Sequence, residues 1–298
     1  MSSATLFLEL SGGQRLAMLE RGAPDGDPIF FCHGWPGTSR QADRLHDAAR
    51  EFGFRIISFD RPGVAQSSHP MQRTLLDWPP MLAEAADQLG VEKFRLVGVS
   101  GGGPYALATA WAMSARVLGV AIVCGAPPIA ELAERRQLMP AYRLLLGLYG
   151  KSPRAARWLF RALRPVALLP LPRALRPLAL KIVGPVDATA LADPVLFDNC
   201  YDSFRDAWSG SADGVFDDAR IYAERWGFAP EEIKVPVHFW HGRGDRNFAW
   251  PLADQLAARI PGARVKICDD EGHYSLPFRQ ARAILGGLRE SSLLPAAS

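Results

Sequence analysis

Six short, largely apolar runs recur along the chain at residues 28–32, 54–59, 94–99, 118–124, 235–240 and 263–268. Between most of them lie more polar segments with helical spacing. A strand with one face in water alternates apolar and polar residues, whereas runs this apolar must be covered on both faces. Helices cover both faces when strands run parallel and right-handed crossover helices join them. Two further strand-like segments, 5–10 and 15–20, flank Ser11-Gly12-Gly13, a hairpin turn. The pattern therefore predicts an α/β fold with a mostly parallel central sheet of about eight strands flanked by helices. Helices are predicted over 40–51, 74–89, 102–114, 251–260 and 277–289, with Pro79 and Pro80 confining the second to its later part.

Residues 127–228 break the alternation. They open with Pro127-Pro128, are rich in Leu, Ala, Arg and Pro, and hold no strand of comparable quality. This divides the chain into a first core part (1–126), an inserted helical cap (127–228) and a second core part (229–298). The most apolar stretch of the insertion, 163–183, contains Arg164, Arg173 and Arg176 and several prolines, which excludes a membrane-spanning helix. The N-terminus lacks the basic and long apolar regions of a signal peptide. A net charge of +3 gives no reason to expect nucleic acid. Cys32, Cys124, Cys200 and Cys268 form no CxxC pair, so no metal is expected. Reduced thiols, three of them in apolar runs, fit a cytoplasmic protein. Nothing in the sequence specifies the oligomeric state.

One turn carries chemistry. Gly98-Val99-Ser100-Gly101-Gly102 matches G-x-S-x-G between the run Phe94-Arg95-Leu96-Val97-Gly98-Val99 and a segment, Pro104-Tyr105-Ala106-Leu107-Ala108, that opens a helix. A serine on so sharp a strand-to-helix turn stands above the sheet in a strained conformation, and the flanking glycines avoid clashes. The helix N-terminus beside it offers backbone N–H groups to a developing oxyanion. This turn holds neither G-x-G-x-x-G nor the GK[ST] of a phosphate loop.

A serine hydroxyl needs a base. His273 follows the last apolar run, in Asp269-Asp270-Glu271-Gly272-His273, and in a parallel sheet it reaches the same edge as Ser100. Asp245, in His241-Gly242-Arg243-Gly244-Asp245 after the preceding run, is the candidate to orient it. Asp269 and Asp270 are rivals that read as solvated charges. His33 and His241 read as structural residues of tight turns, His238 as a core residue and His46 as a helix-surface residue. Trp78, Trp111, Trp158, Trp208, Trp226 and Trp250 are scattered, and most are expected in the core.

On these motifs the sequence resembles the α/β-hydrolases over nearly its whole length, much of the insertion excepted. The order Ser, Asp, His is that family's. His33-Gly34-Trp35-Pro36-Gly37 is similar to its oxyanion loop, and the resemblance implies that the backbone N–H groups of Trp35 and Gly101 hold the oxyanion. Asp60-Arg61-Pro62-Gly63 is similar to its loop after the fourth strand. Val64 and Ala65 then stand where the family often has an aromatic residue and a glycine. Because alanine disfavours positive φ, a different loop path is expected there. Phe248-Ala249 replaces a frequent Val-Pro. Serine at the nucleophile position separates the chain from the aspartate-using dehalogenases and epoxide hydrolases of this fold. The resemblance thus implies a serine hydrolase of esterase or lipase type, acting on a small molecule without a cofactor. A carbon–carbon bond hydrolase of a diketone stays open, as does a slow-turnover ligand-binding member. An iminopeptidase requires acidic cap residues; Asp193, Asp198 and Asp202 keep it open, and the basic half of the insertion opposes it.

From Arg135 to Lys181 the insertion carries eleven Lys or Arg and no Asp or Glu, with leucine throughout, leaving the rest of the chain net acidic. Two readings follow: attraction to anionic substrates or an anionic membrane surface, in a cap that would suit a lipid-like ester, or arginines lying along an ordinary helical surface.

Overall fold

The computed structural model describes residues 6–69 and 73–291. Residue 5 of the expected first strand lies outside them. The apolar runs form β1 (Leu6–Leu10), β2 (Gln14–Gly22), β3 (Asp27–Cys32), β4 (Phe54–Phe59), β5 (Phe94–Val99), β6 (Val117–Val123), β7 (Val237–Gly242) and β8 (Arg264–Cys268). They join in one eight-stranded sheet of order β1-β2-β4-β3-β5-β6-β7-β8. β2 is antiparallel to β1 and β4, and the remaining pairs are parallel. The mostly parallel fold class read from the sequence holds.

Alternate residues of one strand enter two different cores. Phe30 and Leu96 join one apolar cluster, while Ile29, Phe31, Val97 and Val99 join the other. The first cluster is completed by α2 (Trp78–Gln88), α3 (Gly102–Ala112) and α10 (Pro251–Ala257), the second by α1 (His46–Glu51) and α12 (Ala281–Ser291). This is why the strands show no polar face. Fully burying each such Leu, Ile or Phe stabilises by roughly 1.5–3 kcal/mol.

The strand order also makes a crevice. β3 pairs with β4 on one side and β5 on the other. The chain leaves β3 toward β4 and leaves β5 toward β6, so the loops after β3 and β5 diverge at their carboxyl ends. Ser100 follows β5 and Trp35 follows β3, placing both at that switch point.

Several elements differ from expectation. The helix expected over 40–51 is a 3-10 segment, Ser39–Leu45, before α1, and side chains three apart read alike in both. The helix expected over 277–289 is split at Gln280 into α11 (Ser275–Arg279) and α12. Pro79 and Pro80 sit in the first turn of α2, where a proline's missing N–H costs no helix bond. His238 is only half-buried rather than a core residue. Trp158 is 67% exposed, whereas Trp78, Trp208 and Trp226 are buried. No helix among the described residues is long and apolar enough to cross a membrane.

Between β6 and β7 lie α4 (Pro140–Lys151), α5 (Pro153–Ala167), α6 (Arg176–Leu180), α7 (Pro185–Ala190), α8 (Pro194–Ala207) and α9 (Ala212–Ala223). Five of the six carry a proline in the first turn, where it starts the helix, and only Pro165 of α5 falls inside one; α9 is instead capped by Ser211 through a bond from Gly214 N–H. Ser152 and Asp193 cap α5 and α8 in the same way.

α9 is fastened to the sheet by a buried ion cluster. The Asp218 carboxylate accepts from Arg61 Nε at 3.0 Å and Nη2 at 2.8 Å, from Arg73 Nη2 at 2.8 Å, and from the Tyr105 hydroxyl. Burial opposes its charge, yet the two guanidinium groups hold the carboxyl well below the usual range. Beside it, a side chain at Gly214 would strike the Gly63 carbonyl, so α9 meets the Asp60–Gly63 loop backbone to backbone. The different path expected after Gly63 does not occur through avoidance of positive φ: Ala65 takes φ 46°. Its N–H reaches the Ala207 carbonyl at 3.5 Å, and the surrounding contacts hold an alanine where glycine is easier. Asp218→Asn should leave two buried guanidinium groups undercompensated and cost about 3–5 kcal/mol at neutral pH in denaturant titrations. Because the folded carboxyl is depressed, wild type's advantage should be full above about pH 4 and shrink as pH falls below it.

Candidate active site

Ser100 occupies the turn from β5 to α3 with φ 52°. The close fit of the turn is what requires its glycines. A Cβ at Gly98 would lie 2.7 Å from the Gly102 carbonyl oxygen, and one at Gly102 would collide with the Cys32 carbonyl. The Ser100 side chain therefore projects from the carboxyl edge of the sheet at the start of α3.

The structure brings the three residues singled out by the sequence into one line. His273 Nε2 lies 2.9 Å from Ser100 Oγ, and His273 Nδ1 lies 2.8 Å from Asp245 Oδ2. An ionised carboxylate only accepts, so Nδ1 carries the ring proton and Nε2 is left as the acceptor for the serine hydroxyl. All three residues are buried. Asp269 is on the surface, paired with Arg243.

Asp245 is held on both oxygens. Oδ1 accepts from the backbone N–H of Asn247 at 2.7 Å and of Phe248 at 3.0 Å. Oδ2 also faces His241 Nε2 at 3.2 Å, a nitrogen that lies 2.9 Å from the Phe248 carbonyl. With two acceptors before it, that nitrogen carries a proton. Burial disfavours the Asp245 charge, but His273 and His241 keep the carboxyl well below its ordinary range. For His273 burial disfavours the imidazolium, and the Asp245 charge and hydrogen bond outweigh it, raising the group above 6.5. His33 is structural: Nδ1 donates to the Gly34 carbonyl and Nε2 accepts from Arg61 N–H. Candidate ligand atoms of Cys124, His241 and Asp245 lie within 4.8 Å of one another. Burial raises the Cys124 thiol far above its ordinary value, which disfavours the thiolate a metal needs, and Asp245 is already engaged by His273.

Trp35 and Gly101 flank Ser100, and neither backbone N–H meets an acceptor among the described residues. Their other groups are fixed by α9: Trp35 Nε1 donates to the Val215 carbonyl at 3.0 Å, and the Tyr222 hydroxyl donates to the Gly101 carbonyl at 3.0 Å. Ser100 stands between two cavities. One is almost wholly apolar, walled by Trp35, Tyr142, Leu146, Phe160, Phe216 and Tyr222. The other contains His273 and has a more polar lining, with Gln41, Arg44, Asn247 and Tyr274.

Sequence reasoning missed Asp187. This α7 residue is 2% exposed. Oδ2 accepts from His273 N–H at 2.9 Å, and Oδ1 accepts from Tyr274 N–H at 2.8 Å and Ser275 N–H at 3.0 Å. A side chain on Gly272 would overlap this carboxylate. The one local signal is that Asp187 is the first carboxylate after Glu134. Asp187→Ala would strand three N–H groups at the start of α11. It should lower stability by about 1–3 kcal/mol and speed amide exchange at residues 273–275, as read by thermal melts and hydrogen exchange.

Comparison with known proteins follows the same outline. The profile of the alpha/beta hydrolase fold family matches residues 27–280. A proline iminopeptidase of Lactobacillus delbrueckii subsp. lactis is 30% identical over 107 residues, which is 34% of this chain and only 36% of that protein's length. An esterase from Exiguobacterium antarcticum superposes with a TM-score of 0.69 at 16% identity, covering 98% of this chain and 100% of the other. A bromoperoxidase from Bacillus anthracis gives 0.71 at 18% identity, covering 96% and 100%. At such identities the structural likeness is one of fold. With the matched profile running from β3 through the His273 loop, the chain belongs to the alpha/beta hydrolase fold family.

Proposed function

We propose that the protein is a serine hydrolase that cleaves carboxyl esters of an apolar or lipid-like small molecule through an acyl-enzyme on Ser100. The observation that carries this reading is the Ser100–His273–Asp245 hydrogen-bonded line at the mouth of an apolar cavity. Residues 127–228 serve as the cap over it, since α4, α5 and α9 supply most of that cavity's wall.

His273 Nε2 takes the hydroxyl proton as Ser100 Oγ bonds to the ester carbon. The carbonyl becomes an oxyanion, which the N–H groups of Trp35 and Gly101 receive. Asp245 keeps the imidazole in the required tautomer and offsets its positive charge. As the tetrahedral species collapses, the carbon–oxygen bond to the alcohol breaks and Nε2–H protonates the leaving oxygen. Water repeats the sequence on the acyl-enzyme and releases the acid. No cofactor enters any step.

The two cavities support one direction for the substrate. The proton donor for the leaving group faces the second cavity, the less apolar of the two, which favours the alcohol portion there. The acyl chain then enters the apolar cavity, where Trp35 and Gly101 stand. An iminopeptidase reading fares worse, because no Asp or Glu among the described residues lines either cavity to meet a free amine. Asp193 caps α8 and Asp198 pairs with Arg176.

A p-nitrophenyl ester series of increasing acyl length tests the proposal. Turnover should be fast, with an optimum set by the depth of the apolar cavity; negligible turnover along the whole series would favour a ligand-binding role. Ser100→Ala should lower kcat at least about 10⁴-fold and abolish fluorophosphonate labelling. Labelling that persists at another serine would refute the nucleophile. The base must be neutral to act, and its folded pKa is raised above 6.5. Hence kcat/KM should climb as pH rises through a value above 6.5 and be lost below it. A flat profile between about pH 5 and 9 would remove His273 from that role.

A further inference from the structure

We propose that the outer face of α4–α6 docks on an anionic membrane surface. The inference goes beyond the esterase reading and rests on charge and exposure alone. Among the described residues, eight of the twelve exposed large hydrophobic side chains lie between Leu144 and Ile182, a small part of the chain. On α5, Trp158 and Val166 are 67% and 64% exposed, and with Ala162 they recur at four-residue spacing. Ala156 and Phe160, on the opposite side of the same helix, are buried against Trp208, Val215 and Phe216. The apolar stripe is therefore left over after the helix has packed, and is not part of its packing. Leu144 on α4 and Leu178 on α6 are 74% and 61% exposed, with Ile182 just beyond at 79%.

The charges divide in the same way. Of the eleven basic residues from Arg135 to Lys181, four turn inward to partners. Arg157 meets Asp213 and Asp217, Arg161 meets Asp213, and Arg176 meets Asp198. Arg164 donates to the carbonyls of Trp208, Ser209 and Gly210. The other seven, Arg135, Arg136, Arg143, Lys151, Arg154, Arg173 and Lys181, are exposed and meet no carboxylate among the described residues. An ordinary solvated helix surface mixes signs. Here exposed leucine, isoleucine and tryptophan alternate with cations only, which is the composition of a helix lying in a lipid headgroup layer. Nucleic acid would take up the cations but would leave the apolar stripe in water. The inner faces of α4 and α5 wall the apolar cavity through Tyr142, Leu146 and Phe160, so a docked face sits directly over it.

The test uses full-length Ser100→Ala protein, so that binding is read independently of hydrolysis. Sedimentation with vesicles of phosphatidylcholine carrying about a quarter phosphatidylglycerol should retain the protein, and added salt should release it. Pure phosphatidylcholine should retain much less. The triple variant Arg143→Gln, Arg154→Gln, Arg173→Gln should lower partition into anionic vesicles roughly a hundredfold. Trp158→Ser should lower it at every salt concentration. Circular dichroism of each variant should match the parent. Binding that ignores lipid charge and salt, or no binding to anionic vesicles, would overturn the proposal. So would a dimer in light scattering that Trp158→Ser dissociates, because the face would then be taken by a second copy of the chain.

Discussion

The architecture around the site depends on the carboxylate of Asp218. Charge at full burial is tolerable only when donors surround it, and here two guanidinium groups and a phenol do so. The three partners come from three parts of the core: Arg61 from the loop after β4, Arg73 from the approach to α2, and Tyr105 from α3 beside Ser100. One side chain of the insertion thereby registers α9 against the sheet's carboxyl edge. The same helix then holds the Trp35 indole and the Gly101 carbonyl. The backbone that flanks Ser100 is positioned by a helix more than a hundred residues away in the chain.

Two further buried carboxylates do for His273 what Asp218 does for α9. Asp245 fixes the ring, and Asp187 fixes the backbone from which the ring hangs. An imidazole that must accept from a serine has to be fixed in both tautomer and position, and these are separate requirements. The Asp245 contact determines which nitrogen bears hydrogen, while the Asp187 contacts determine where that nitrogen is.

What was legible in the sequence follows from the range over which each signal acts. The strands could be read because double-sided burial writes a continuous apolar run, and 54–59 and 94–99 coincide with β4 and β5. Ser100 could be read because a left-handed serine between a strand and a helix demands glycines at fixed neighbouring positions. The 3-10 character of Ser39–Leu45 was hidden, since three-residue spacing suits both helix types. Ala65 was misjudged because the local preference of alanine gave way to contacts made by Ala207 and α9, which lie far along the chain. Asp187 and Asp218 carry no motif at all. Their importance lies wholly in which donors the fold brings to them, and adjacency in sequence does not record that.

The Asp187 contact has a mechanical consequence. The α7 helix and the loop bearing the imidazole share three hydrogen bonds through a single side chain. Moving α7 would pull on the imidazole's own backbone. A chain that loosened at α7 would therefore shift the imidazole out of line with both Asp245 and Ser100.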